Sequence, residues 1–365
     1  MPEFRPALEL NRRFYFECVR PALDHHYPNL EHAAALIGYG SEVLGFDTAM
    51  SMDHNWYPRV FLFLQEKDNE LVSPIREMLG RELPHEFLGF PVDSVPSPDE
   101  PGTRWMESKS EGPVDHRVTA LTLREFTLEN MAWDNSEPLS PVDWLTWPSQ
   151  VLGTMTAGAV YFDNVGELTR FRETLAWYPQ DVWLYLLASL WDRIGQEEHL
   201  MPRAGFVGDE LGSALIGSRL VRDIMSLCFL MEKQYAPYPK WFGSGFKKLT
   251  CAKELAPSLW SAQTAETWGE REKALCNACE ILAKQHNRLT ITEPVAEQVS
   301  NFHGRPFKII HADKVAQSIV KQLTDPEVKR IAANGLIGGI DQWSDNSELR
   351  SNLTHWRKGI RNLYE

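Results

Sequence analysis

The chain has 365 residues, 43% of them hydrophobic and 24% charged, with a formal net charge of −13; this is the profile of a globular protein with room for two cores. The negative balance argues against a general nucleic-acid binder, which needs clustered Lys and Arg against phosphate, and no run approaches the roughly 20 apolar residues of a membrane span. Five scattered cysteines and a start without an apolar signal core point to a reduced, cytoplasmic protein. The 13 Trp and 17 Phe predict large aromatic cores or stacking surfaces.

Residues 4–27 carry Phe14, Cys18, Val19 and Leu23 at helical spacing and predict an amphipathic helix that stops near Tyr27-Pro28. The run Ala33–Ile37 ends at Gly38, and Val60–Leu64 is a second continuous apolar run, the pattern of a strand buried on both faces. Leu71–Arg81 predicts a short helix, Glu86–Phe90 a strand or turn, and Pro91–Pro113 a surface loop. Arg117–Phe126 alternates with β-branched residues and predicts a further strand, as does Ala159–Phe162. Pro138–Pro141 and Trp147-Pro148 mark a junction, after which the pattern turns helical over 181–200, 211–235, 257–286, 315–323 and 326–333.

The stretch that joins the first two apolar runs, IGYGSEVLGFDTAMSMDHNWYPR over Ile37–Arg59, carries the chemistry. Gly40-Ser41 follows a predicted strand, where backbone N–H groups in a glycine-permissive turn can cradle phosphate oxygens. Asp53 and Asn55 stand two residues apart just before the next apolar run; on a strand they would share one face. This arrangement resembles the polymerase-β-like nucleotidyltransferases, in which a Gly-Ser turn binds triphosphate and two acids one residue apart hold Mg²⁺. Here an amide, Asn55, stands where the second acid belongs, so the strand offers a metal one formal charge and not two. With AGAVYFDNVGELTRFR (157–172), YPQDVWLYLLASLWDRIGQEE (178–198) and the segment 208–243, the chain resembles an uncharacterised domain-of-unknown-function family allied to those enzymes and to the aminoglycoside nucleotidyltransferases. The resemblance implies an α+β fold: a small mixed-sheet nucleotidyltransferase-like domain with an N-terminal helix over 1–150, then a mainly α-helical domain over 151–365.

The function it implies is Mg²⁺-dependent transfer of a nucleoside monophosphate from ATP or GTP to a hydroxyl of a small-molecule acceptor. In that reading Asp53 and Asn55 are the catalytic pair, Asp53 the metal ligand, and Gly40 and Ser41 the phosphate turn. The alternative, favoured by Asn55, is a binding or regulatory protein on the same fold that holds a nucleotide or another anion. Gly40 also fits a bare strand-ending turn. Asp115, Glu125 and Asp163 flank the later strands, and none is assignable as a third carboxylate. Within the apolar stretch Leu215–Met231, Arg219 and Asp223 stand at i, i+4 and can pair. Arg222 belongs either to a structural ion network or to a ligand pocket. Lys240, in Tyr238-Pro239-Lys240-Trp241, is the phosphate-reaching base by analogy with the aminoglycoside enzymes. Cys276-x-x-Cys279 lies on a helical pattern without a second pair and reads as helix-face thiols.

Overall fold

In the computed structural model, which describes residues 3–53, 56–97 and 103–365, the apolar runs meet in one four-stranded sheet. Its strands are β1 (His32–Leu36), β2 (Arg59–Leu64), β3 (Arg117–Thr122) and β4 (Ala159–Asp163), in the order β3-β2-β1-β4. β1 runs antiparallel to both neighbours, and β2 pairs in parallel with β3, Arg59 opposite Arg117 and Leu64 opposite Thr122. The sheet is therefore mixed. Every residue of β1 and β2 is buried, as continuous apolar runs require when both faces are covered.

Each face has its own cover. Val60, Leu62 and Leu64 share a core with Leu10, Phe14 and Tyr15 of the N-terminal helical segment. Phe61 and Phe63, pointing the other way, pack their rings 5.3 and 5.2 Å from that of Phe126. The N-terminal segment is helical as its spacing predicts, but a π-turn at Tyr15–Val19 joins Ala7–Phe14 to Arg20–His26. Arg117–Phe126 is not one strand: the strand stops at Thr122 and Leu123–Met131 is helix. Thr122 accepts from the Glu125 N–H and Glu125 accepts from the Thr122 N–H, a capping box that overrides the β-branched pattern. Within Pro91–Pro113, Ser94–Pro96 pairs antiparallel with Arg104–Met106.

The chain divides into two compact units, Met1–Pro138 with Val151–Ala176, and Leu139–Gln150 with Trp177–Glu365. The interleaving follows from the sheet, since β4 must return to pair with β1. The second unit is built on long helices, Gln180–Glu197, Glu210–Met231 and Trp268–Leu289. The stretch 257–286 is two helices, Ala252–Thr264 and Trp268–Leu289, because Thr267 and Glu270 form another capping box that starts the second. The helix Leu353–Arg361 docks through Arg357 and Arg361, which both pair with the buried carboxylate of Asp143. Among the described residues no helix is long and apolar enough to cross a membrane.

Candidate functional site

The turn after β1 lies at one end of the sheet, beside the first residues of β2 and β3. Gly38 and Gly40 take φ of +93° and +110°, a conformation that glycine alone adopts freely. The Gly38 N–H donates to the Thr154 carbonyl at 3.0 Å, and the Gly158 N–H to the Val43 carbonyl at 2.9 Å, so the turn is clamped between β1 and β4. Ser41 sits at its tip, its carbonyl accepting from the Phe46 N–H at 2.9 Å. Residues 41–45 form turns with no helix.

Glu42 folds back over this turn. A side chain on Gly40 would collide with its carboxylate, so Gly40 makes the room that Glu42 occupies. Its Oε1 accepts from Arg59 Nη2 at 2.5 Å, and the two side chains are 6% and 3% exposed. Arg59 Nη2 also donates to the Tyr39 carbonyl at 2.6 Å, and the guanidinium lies 4.2 Å from the Tyr39 ring centroid. Two further donors of that guanidinium, Nε and Nη1, are buried without a hydrogen-bond partner. Arg117, one strand over, donates to the Tyr39 hydroxyl at 3.2 Å and lies 5.7 Å from the Tyr57 ring. The Tyr57 hydroxyl is buried without a partner, and burial pushes this phenol up from its ordinary value. The sheet end thus gathers two guanidiniums and two tyrosines around a turn of positive-φ glycines. One of the guanidiniums is already neutralised from within.

The Asp53–Asn55 segment is a separate matter. Asp53 closes a 3-10 helix, Ala49–Asp53, and β2 begins only at Arg59, so strand alternation does not orient Asp53. Its side chain, with His54 and Asn55, lies outside the described residues. The loop before it is held by Asp47, which accepts from the Ala7 N–H at 2.8 Å and from Trp56 Nε1 at 3.1 Å. The three carboxylates flanking the later strands all have structural partners. Asp115 pairs with Arg76 and Arg104, Glu125 completes its capping box, and Asp163 accepts from the Gly166 and Thr169 N–H groups. Among the described residues no three His, Cys, Asp or Glu side chains gather as metal ligands, and Glu42 is committed to Arg59. A Mg²⁺ site here would therefore rest on Asp53 together with oxygens of a bound ligand.

Arg222 and Lys240 lie in the second unit. Asp223 is 2% exposed and pairs with Arg193 at 2.7 Å and Arg222 at 3.2 Å. Arg219 does not pair with Asp223; it reaches Glu197 at 2.9 Å, one turn along the helix Gln180–Glu197 from the Arg193 that pairs with Asp223. Arg222 also meets Asp345 at 2.5 Å and lines a cavity, so network and pocket coexist. Lys240 is exposed, its ammonium 5.1 Å from the Trp241 ring, and does not line that cavity. Cys276 and Cys279 sit on a helix, their thiols pushed up by burial. Arg59, just after the Asp53–Asn55 stretch, reads from the sequence as a salt-bridge residue, and it is one; its partner Glu42 is what sequence reasoning missed. The stretch Ile37–Arg59 holds three acids, Glu42, Asp47 and Asp53, and nothing in its spacing singles out Glu42.

Fold and site define an α+β protein with a mixed sheet, a glycine turn at its end and a helical second unit. Residues 144–242 match the family described as "Domain of unknown function (DUF4037)"; that stretch contains segments 157–172 and 178–198 and nearly all of 208–243. Among solved structures, the chain is similar to a nucleotidyltransferase-like protein from Exiguobacterium sibiricum 255-15, at 11% identity, covering 86% of this chain and 89% of that one with a TM-score of 0.31. No curated protein matches the chain.

Proposed function

We propose that the protein is nucleotidyltransferase-like and holds a nucleoside triphosphate, ATP or GTP, at the Gly38–Gly45 turn, with transfer to a small-molecule hydroxyl slow or lost. The observation that carries this reading is the Glu42–Arg59 pair. A buried arginine beside positive-φ glycines suits a phosphate oxygen, yet its charge is already matched by Glu42. A triphosphate must displace that carboxylate to reach Arg59, while Arg117 has no carboxylate partner among the described residues and stands ready at the same end of the sheet. Asp53 would then hold Mg²⁺ shared with the phosphates, and Asn55 would lend a neutral carbonyl oxygen. This shortage of negative charge favours holding over transfer.

Calorimetric titration with ATP and GTP, each with and without Mg²⁺, tests the proposal on the wild-type chain and on Glu42→Gln. The expected result is weak binding that tightens about tenfold in Glu42→Gln, with pyrophosphate release from the nucleotide in the presence of an added hydroxyl acceptor at or near background. Absence of nucleotide binding in both proteins would sink the reading. Rapid pyrophosphate release by the wild type would favour the transferase over the binding protein.

A further inference from the structure

The helical unit contains a cavity of about 480 Å³, within the size of small-molecule sites, on the order of 300–1,000 Å³. Aromatic side chains form much of its wall: Trp144, Trp147, Tyr178, Phe229 and Phe242. Trp144 packs edge-on against Trp147 and Tyr178 at 6.0 and 5.9 Å, which fixes the planes of that wall. Flat, preset faces suit a planar ring, since stacking then costs little reorganisation.

The charges at the rim are unequal in how firmly they are held. Inside, the guanidiniums of Arg193 and Arg222 share one buried carboxylate, Asp223. The second counter-charge, Asp345, approaches Arg222 Nη1 with a side chain 72% exposed, and ion pairs open to solvent are weakly held. Farther along the wall, Asp341 Oδ2 accepts from the Ser149 N–H at 2.5 Å, while its Oδ1 lies 2.7 Å from Arg350 Nη2. That pair is off the hydrogen-bonding line, and Asp341 Oδ1 and Arg350 Nε are both buried without a hydrogen-bond partner. Asp341 and Arg350 balance each other, so the most weakly held counter-charge is Asp345 on Arg222, and an incoming anion that takes its place meets a positive group.

We propose that this cavity binds a small molecule with an aromatic body and one anionic group, the body against the aromatic wall and the anion replacing Asp345 on Arg222. The anion's chemistry is shared by carboxylate, sulfonate and phosphate. The site lies wholly within the second unit, and the proposal goes beyond the nucleotide turn and stands without it.

Two probes of nearly the same shape separate the parts. 8-Anilinonaphthalene-1-sulfonate carries the anion and N-phenyl-1-naphthylamine lacks it. Fluorescence titration of the full chain should show one saturable sulfonate probe per chain. Arg222→Gln should weaken the sulfonate at least tenfold and the neutral probe less than twofold, and Asp223 keeps Arg193 in that variant. Ser226→Phe, which fills the cavity from the helix Glu210–Met231, should weaken both probes. Asp345→Asn, a change at an exposed residue, should tighten the sulfonate alone, and it covers the case in which Arg222→Gln fails to fold. Equal effects of Arg222→Gln on the two probes, no effect of Ser226→Phe, or an unchanged sulfonate affinity in Asp345→Asn would each overturn the proposal.

Discussion

At the scale of single residues, Glu42 and Arg59 dominate the sheet end. Removing one member of a buried ion pair leaves the other uncompensated, which costs roughly 3–5 kcal/mol. Glu42→Gln keeps an acceptor for Arg59, so its cost should fall at the lower end, about 3 kcal/mol, measured by urea unfolding. Gly40→Ala should be harmful for two linked reasons, a φ of +110° and the collision with the Glu42 carboxylate. In the Glu42→Ala background only the first remains, so in a double-mutant cycle the two changes together should cost less than the sum of their separate costs. A coupling of zero would mean that Glu42 does not occupy the turn in solution. Glu198 offers a pH test in the other unit. It accepts from the Ile310 and Ala312 N–H groups at 2.8 and 3.0 Å, yet burial outweighs these bonds and lifts its carboxyl to about 7. In the folded state it then keeps its proton over a range in which the unfolded chain, with an ordinary carboxyl, has lost it. Its contribution to stability is complete below the unfolded value and is lost as pH rises toward 7. Denaturation at steps from pH 4.5 to 7 should show wild type losing stability relative to Glu198→Gln across that window. A flat difference would contradict it.

At the scale of elements, local capping decides where helices begin, and twice it divides what periodicity alone joins. The Thr122–Glu125 box turns the end of β3 into a helix, and this places Phe126 over Phe61 and Phe63. Thr267–Glu270 does the same for Trp268–Leu289. Loss of such a cap costs about 1 kcal/mol, so Thr122→Ala and Thr267→Ala should each lower the unfolding midpoint modestly. Both signatures, T-L-R-E and T-W-G-E, were legible in the chain. The β-branched run at 117–122 and the continuous helical spacing over 257–286 masked them. The pairing of Arg219 with Glu197 was not legible, because i, i+4 spacing reports neighbours on one helix and says nothing of a second helix alongside.

At the scale of the whole molecule, β4 separates two ways of cutting the chain. A fragment of residues 1–150 lacks the strand that pairs with β1 and leaves a buried apolar strand as an open edge. A fragment of residues 1–176 keeps the full sheet. The longer fragment should give a cooperative thermal transition by circular dichroism, and the shorter one should aggregate or melt without a transition. The reverse result would show that β4 is dispensable to the sheet unit.

The sequence by itself determined the parts that depend on near neighbours in the chain. Continuous apolar runs had to be strands covered on both faces, long apolar-striped segments had to be packed helices, and the glycines of 38–40 had to mark a turn. These follow from backbone periodicity and from steric limits that act over a few residues. Tertiary structure alone decided what fills and surrounds those parts. It brought Arg59 back to Glu42, seventeen residues away, where Gly40 leaves room for the carboxylate. It also brought Trp144, Phe229 and Asp341 from three distant stretches to one cavity. Charge pairing and cavity shape depend on which faces meet in space, and one-dimensional spacing carries no record of that.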